Sequence, residues 1–202
     1  FQRHGMSLVV LQALLGLSRT ASLRGDQVAA LRLAREVHSK LEKMDAQARM
    51  SLVLGHIGIC QVLLGKEAES ANLAACEHAQ NLKMFQAIRA EFWWLQSQAP
   101  RRGRTSRLGV IQAQATKSLL KDVSICCHLT QADQGSRTAD WALVDFHLER
   151  ATSIIFQTGL VSRVVGQLAN DLATRLMGSL GGPGDRRALR SFEIANDQWM
   201  RL

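Results

Sequence analysis

Apolar residues recur at intervals of three and four along most of the chain, with polar residues between them. After Asp26, which can cap a helix, they fall at Ala30, Ala34, Val37 and Leu41, on one face of an α-helix. The same spacing predicts five helices in the first half of the chain: Met6–Leu23, Val28–Leu41, Asp45–Leu64, Ala68–Leu82 and Phe85–Ser97.

The second half of the chain carries the same helical spacing. It predicts a helix over Leu108–Leu129, a polar loop over Ala132–Arg137, and a helix capped by Thr138 or Asp140 that Gly159 ends. Two more helices are expected, one over Val161–Leu180 and one after Asp185 whose apolar face is Leu189, Phe192, Ala195 and Trp199. With only two prolines in 202 residues, the chain is expected to fold as an all-α protein of packed helical hairpins.

A weak internal repeat runs through the first half of the chain. Leu15-Gly16 and Leu54-Gly55 lie 39 residues apart, and the turn glycines Gly25 and Gly65 that follow them lie 40 residues apart. A unit that recurs every 20–50 residues is typical of stacked helical arrays, which present binding surfaces. Small residues at these positions are expected to let paired helices pack closely.

These positions resemble the tetratricopeptide repeat family over residues 1–98, in a longer form of about 40 residues. Ala30 matches the small residue of the family's second helix, whereas the usual aromatic residue and the closing proline are missing. The resemblance implies a short solenoid that binds other proteins. Residues 52–70 are also similar to a repeat of the cohesin-loader subunit family, which would imply a long, extended partner chain.

The sequence therefore divides into tetratricopeptide-like repeats over residues 1–98, an arginine-rich linker over 99–107 and a helical region over 108–202. The last region shows no repeat register. It is expected to be either divergent repeats or a separate helical fold.

The net charge of +8 and a basic composition of 19 Arg against 6 Lys favour contact with an anionic partner. Four arginines and no acidic residue occupy the linker, and they are candidate contacts for RNA or another polyanion: Arg101, Arg102, Arg104 and Arg107. A solvated linker is the competing interpretation, because the segment lacks the aromatic residues of a base-stacking surface.

Trp93 and Trp94 are candidate partner-binding residues, because tryptophan is favoured at interface hot spots and one of two adjacent helical residues must turn away from the core. The competing interpretation is that both pack internally. A two-Cys, two-His metal site from His56, Cys60, Cys76 and His78 is disfavoured, since Cys76 and His78 lie two apart and point to opposite sides of a helix. We expect no metal, no cofactor and no catalysis, because no nucleotide-binding loop or catalytic motif is present.

The four cysteines include the vicinal pair Cys126-Cys127 and form no disulfide framework, which indicates a reducing compartment. The acid-poor start resembles a mitochondrial transit peptide, but we prefer to read it as the first repeat helix. The first residue, Phe1, indicates a processed or truncated terminus. A mitochondrial location is slightly favoured over a nuclear one.

Taken together, these patterns predict a non-catalytic scaffold or structural subunit that binds protein partners in a larger assembly. Two alternatives remain, namely an RNA-contacting architectural subunit of an organellar ribonucleoprotein and a subunit similar to the cohesin loader.

Overall fold

The structure, a computed structural model, describes residues 2–44, 47–81, 87–97, 104–178 and 184–202. Every regular element in these ranges is an α-helix, which confirms the predicted all-α class. The helices are α1 (Gln2–Leu23), α2 (Gln27–Lys43), α3 (Gln47–Leu63), α4 (Glu69–Asn81), α5 (Ala87–Ser97), α6 (Arg104–Lys117), α7 (Lys121–Arg137), α8 (Trp141–Thr158), α9 (Arg163–Met177) and α10 (Gly184–Met200). Asp45, where the third helix is predicted to begin, and Pro100, which is predicted to end the fifth, lie outside the described residues. The Gly-Gly-Pro-Gly sequence at 181–184 predicts a turn, and its first three residues also lie outside them.

The helices form two compact units, Phe1–Arg101 and Arg102–Leu202. The division falls inside the segment predicted as a linker over 99–107. That prediction is wrong for the last four residues of the segment, because α6 begins at Arg104 rather than at Leu108.

In the first unit, each helix packs on the next in chain order from α1 to α5. The odd-numbered helices also contact one another, α1 on α3 and α3 on α5, so they share one side of the unit. Apolar residues of α1, α2 and α3 form the main core, among them Leu11, Val37 and Val53. This is the arrangement of stacked helical hairpins, with each hairpin burying a face of its neighbour.

The two glycine turns of the predicted repeat have the same backbone geometry. Gly25 and Gly65 adopt φ values of +93° and +65°, a region that glycine enters without strain. After each glycine, one backbone amide donates a hydrogen bond five residues back: Asp26 N to Ala21 O at 3.0 Å and Lys66 N to Gln61 O at 2.8 Å. These bonds satisfy carbonyls at the helix end, so the turns are equivalent.

The Leu-Gly pairs, in contrast, are not equivalent in the structure. A Cβ atom placed on Gly55 would lie 3.8 Å from the Ala75 Cβ atom of α4, in ordinary packing contact. Apart from the neighbouring backbone of α1 itself, no described atom lies within 4 Å of the same position on Gly16. The expectation that both glycines allow close helix packing therefore holds for Gly55 and is wrong for Gly16.

The second unit is two stacked hairpins with one additional helix. The α7–α8 hairpin packs on the α9–α10 hairpin through contacts of α7 with α9 and of α8 with α10, and α6 packs on α7. Gly159 ends α8 in the left-handed conformation, at φ +62°, as predicted. The Asp140 carboxylate accepts a hydrogen bond from Leu143 N at 3.0 Å, so Asp140 is the cap of α8.

Two predicted boundaries in this unit are wrong. The helix expected over Leu108–Leu129 is divided into α6 and α7 at Leu119, which adopts φ +57° and is 73% exposed. The polar loop expected over Ala132–Arg137 is instead the last part of α7. Residue type alone predicts the opposite at both places. An apolar leucine favours a helix but here adopts a turn conformation, and a polar stretch favours a loop but here continues a helix.

The predicted face of α10 is also partly wrong, since Leu189 is 65% exposed. The residues that α10 buries are Ala188, Ser191, Ile194, Ala195 and Gln198. The buried face is therefore rotated by about one residue, and it includes two polar side chains that an apolar pattern does not reveal.

Candidate partner-binding groove

The shared side of the odd-numbered helices in the first unit contains a groove with a cavity of about 140 Å³. Its lining comes from α1, α3 and α5 alone: Arg19, Ser51, Leu52, Gly55, His56, Ile59, Arg89, Ala90 and Trp93. We call this surface the odd-helix groove. It exists because three helices that are not consecutive in the chain lie side by side, so local sequence patterns do not reveal it.

His56 is held in the groove wall by hydrogen bonds from the first helix. The Ser18 hydroxyl donates to the Ala30 carbonyl at 2.6 Å, and the Ser18 oxygen lies 2.9 Å from His56 Nε2. Because the single hydroxyl proton is used toward Ala30, the oxygen must accept a proton from Nε2. His56 is therefore the Nε2–H tautomer, and its Nδ1 atom is an acceptor.

Burial, together with the positive charge of Arg19, lowers the pKa of His56 to about 4. His56 is consequently neutral at physiological pH. Arg19 is exposed on α1, Arg89 is half-buried on α5, and the lining of the groove contains no carboxylate. The groove lining therefore carries two cationic side chains and no carboxylate, and its walls offer both apolar area and hydrogen-bonding atoms.

The two tryptophans predicted as partner anchors lie on α5, and neither is fully exposed. Trp93 is 5% exposed, packs edge to face on Phe92 with ring centroids 5.1 Å apart, and lines the odd-helix groove. Trp94 is half-buried against the cluster of Ala75, Cys76, Ala79 and Ala90. The indole nitrogen of Trp94 is buried without a hydrogen-bond partner among the described residues.

The four arginines of the predicted linker are only partly described. Arg101 and Arg102 lie outside the described residues, and Arg104 begins α6. Arg107 is an exposed residue of α6. The arginines that line the odd-helix groove are others, Arg19 and Arg89, which no sequence pattern singles out because neither has another arginine within one helical turn.

The cysteine and histidine pattern has a structural role in the described residues. His56 and Cys60 share a face, with Nε2 and Sγ 3.8 Å apart. Burial raises the pKa of the Cys60 thiol to about 11 and that of Cys127 to about 12, so both are protonated and unreactive at neutral pH. Within the described ranges, no three His, Cys, Asp or Glu side chains are grouped to hold a metal ion.

Comparison of the chain with protein-family models, curated proteins and solved structures gives no match. A search of the described residues for a helix long and apolar enough to cross a bilayer finds none.

Proposed function

We propose that this protein is a non-catalytic scaffold whose odd-helix groove binds a segment of another protein in a larger assembly. The observation that supports the proposal is the groove lining, in which two arginines from separate helices flank a neutral histidine and a tryptophan, with no carboxylate present. Arginine and tryptophan are the residue types most enriched at interface hot spots. The tetratricopeptide-like stacking of α1 to α5 agrees with this role, because such arrays bind partners along one helix row.

The groove favours a partner segment with an acidic side chain. Guanidinium groups pair with carboxylates through two parallel hydrogen bonds, and an open, partly desolvated groove strengthens such pairs. Leu52, Ile59 and Ala90 supply the apolar contact area beside them.

The proposal is tested by capture of partners with the wild-type chain and the variant Arg19→Glu. Arg35→Glu is the matched control, because Arg35 is exposed on α2, outside the groove, and the change in net charge is the same. We expect one set of proteins to be retained by the wild type and the control, to be lost from the Arg19 variant, and to survive ribonuclease.

A photo-crosslinking amino acid at Leu52, inside the groove, should attach to that same partner, whereas one at Val28, which is 67% exposed on α2, should not. Loss of all partners on ribonuclease treatment would favour the RNA-contacting role instead. Equal retention by the Arg19 variant and its control would exclude the odd-helix groove as the binding site.

A further inference from the structure

Helices α8 and α10 of the second unit lie side by side and are joined at both ends by arginines, one within α10 and one that directly follows it. At one end, Arg187 Nε donates to Asp145 Oδ1 at 2.7 Å, and the guanidinium group of Arg187 lies 5.2 Å from the Trp141 ring centroid. At the other end, Arg201 Nη2 donates to the Gly159 carbonyl at 2.6 Å. The helices therefore run in the same direction, and an open channel lies between these two arginine contacts.

Two cavities occupy this channel. One of about 420 Å³ is lined by Asp145, Arg186, Arg187 and Arg190. The other, of about 400 Å³, is lined by Thr152, Ile155, Phe156, Gly159, Arg190, Glu193, Ile194, Asp197 and Arg201. Because Arg190 lines both cavities, they form one continuous surface, which we call the α8–α10 groove.

The second cavity has an apolar floor and an exposed aromatic edge. Ile155 and Ile194 are 7% and 5% exposed and form the floor. Phe156, on the rim, is 90% exposed. Phe156 therefore adds an aromatic wall to an apolar cavity, where a partner's apolar side chain can be buried.

The first cavity carries uncompensated positive charge. The Asp145 carboxylate is already paired with Arg187 through two oxygens, and Asp197 is paired with Arg201 at 3.1 Å. Arg186 and Arg190, one helical turn apart, make no ion pair within the described residues, and Glu193 is the one remaining carboxylate in the groove lining. The guanidinium groups of Arg186 and Arg190 therefore lie beside an apolar pocket. A ligand that fits both features has an apolar side chain and carboxylates next to it.

We propose that the α8–α10 groove binds an acidic amphipathic helix of another protein. A large apolar side chain of that helix fills the pocket formed by Ile155, Ile194 and Phe156, and its carboxylates pair with Arg190 and Arg186. Along α10, Arg190 lies four residues and Arg186 eight residues from Ile194, which is roughly 6 and 12 Å at the rise of an α-helix. The partner helix therefore carries acidic residues four and eight positions from its apolar anchor.

The probe for this proposal is a fluorescein-labelled, alanine-based helical peptide with one leucine anchor and glutamates four and eight positions away. Binding to the full chain is followed by fluorescence anisotropy. A second peptide with lysine in place of both glutamates tests the charge requirement. This experiment is independent of the odd-helix groove, so either proposal can fail without the other.

The expected pattern has three parts. Arg190→Glu and Arg186→Glu each weaken binding of the acidic peptide by about tenfold, since each replaces an attractive contact by a repulsive one. Phe156→Ala weakens binding by at least fivefold, and because this side chain is 90% exposed, its removal leaves the core intact. The lysine peptide binds at least tenfold more weakly than the acidic peptide.

Matched controls distinguish peptide binding in the α8–α10 groove from nonspecific attraction of an acidic peptide to a basic protein. Arg35→Glu on α2 changes the net charge equally, and Leu189→Ala removes a leucine that is 65% exposed but lines neither cavity. Both should bind the acidic peptide within twofold of the wild type. Absence of peptide binding, or equal weakening by Arg35→Glu, would overturn the proposal. Arg190→Gln, which removes the charge without reversing it, replaces Arg190→Glu if the latter loses its helical circular dichroism spectrum.

Discussion

Gly58 of α3 lies directly beneath the side chain of Asn72 of α4, so closely that a Cβ atom on Gly58 would overlap the Asn72 amide. Asn72 is completely buried, and its amide nitrogen and oxygen have no hydrogen-bond partner among the described residues. In the first hairpin, the residue 40 positions earlier than Gly58 is Ser18, whose hydroxyl donates to Ala30 O. At this position of the repeat, the buried polar side chain therefore belongs to the first helix of the first hairpin and to the second helix of the second hairpin. Elsewhere in the second hairpin the first helix does donate, from the Ser51 hydroxyl to the Ala75 carbonyl at 2.9 Å.

We predict that Gly58→Ala destabilises the chain by about 1–3 kcal/mol, because the added methyl group must displace a buried side chain. Gly16→Ala is the matched control in α1. Since no described atom outside the neighbouring backbone of α1 lies within 4 Å of the new methyl group, this variant should gain up to about 1 kcal/mol from the higher helix propensity of alanine. Thermal unfolding followed by circular dichroism measures both changes.

The double variant Gly58→Ala/Asn72→Ala tests the cause. If the clash with Asn72 is responsible, the second substitution should recover at least half of the lost stability, although it also leaves a small cavity. A double variant that is as unstable as the sum of the two single variants would show that Gly58 is required for another reason.

Gln198 joins the end of α10 to the connection between α8 and α9. The Ser162 amide donates to Gln198 Oε1 at 2.7 Å, and Gln198 Nε2 donates to the Leu160 carbonyl at 3.1 Å. Gln198→Leu keeps the volume and leaves two half-buried backbone groups without this partner, so we expect a loss of about 1–3 kcal/mol. Gln157→Leu, which removes an exposed bond to Ser153 Oγ, should change stability by about 0.5 kcal/mol or less. Urea unfolding distinguishes these outcomes, and equal effects would contradict the role of Gln198.

Three side chains form a hydrogen-bonded series across α6, α7 and α8. Gln112 Nε2 lies 2.9 Å from His128 Nε2, and His128 Nδ1 lies 2.9 Å from His147 Nδ1. The amide nitrogen donates, so His128 carries its proton on Nδ1 and donates it to His147. Burial, together with the charges of His147 and Arg150, lowers the pKa of His128 to about 4, and burial also lowers the pKa of His147.

This series predicts a loss of stability in mild acid. A histidine whose pKa is lower in the folded than in the unfolded chain binds protons preferentially when unfolded. The free energy of unfolding is therefore unaffected by this histidine above about pH 6.5, and it decreases as the pH falls from there toward 4. For His128 the loss at pH 5 is about 2 kcal/mol. Urea unfolding of the wild type and of His128→Gln at pH 7.5 and pH 5 measures this loss of stability.

The difference between the two pH values should be smaller in the His128 variant, because His128 no longer titrates. Gln157→Leu, which replaces an exposed side chain that does not titrate, is the control and should keep the wild-type difference. A wild-type chain that is equally stable at both pH values would refute the argument.

Among the described residues of the second unit, Leu119 at φ +57° and Ala139 at φ +55° are the residues other than glycine in the left-handed backbone region. Each ends a helix, α6 or α7, in a conformation that strains an L-amino acid by about 1 kcal/mol or more. Leu119→Gly and Ala139→Gly should therefore raise stability by about 0.5–1 kcal/mol each. Ala113→Gly, inside α6, should lower it by a similar amount. The melting temperatures of the three variants should therefore rise for the first two substitutions and fall for the third.

The sequence by itself determined the features that depend on neighbouring residues. Helical periodicity identified the all-α class, Gly25 and Gly65 marked the turns, and Asp26 and Asp140 marked caps that accept the predicted type of hydrogen bond. These succeeded because helix propensity, capping and glycine turns act over a few residues.

Tertiary structure alone decided the rest. The exposed Leu119 at a helix end, the buried Gln198 of α10 and the difference between Gly16 and Gly55 all depend on which helices lie opposite. The odd-helix groove gathers side chains from three helices, and the α8–α10 groove from two, so neither leaves a local motif in the chain. The physical reason is that packing brings together residues that are distant in the sequence. Contacts between such residues leave no periodic pattern within the sequence of any one helix.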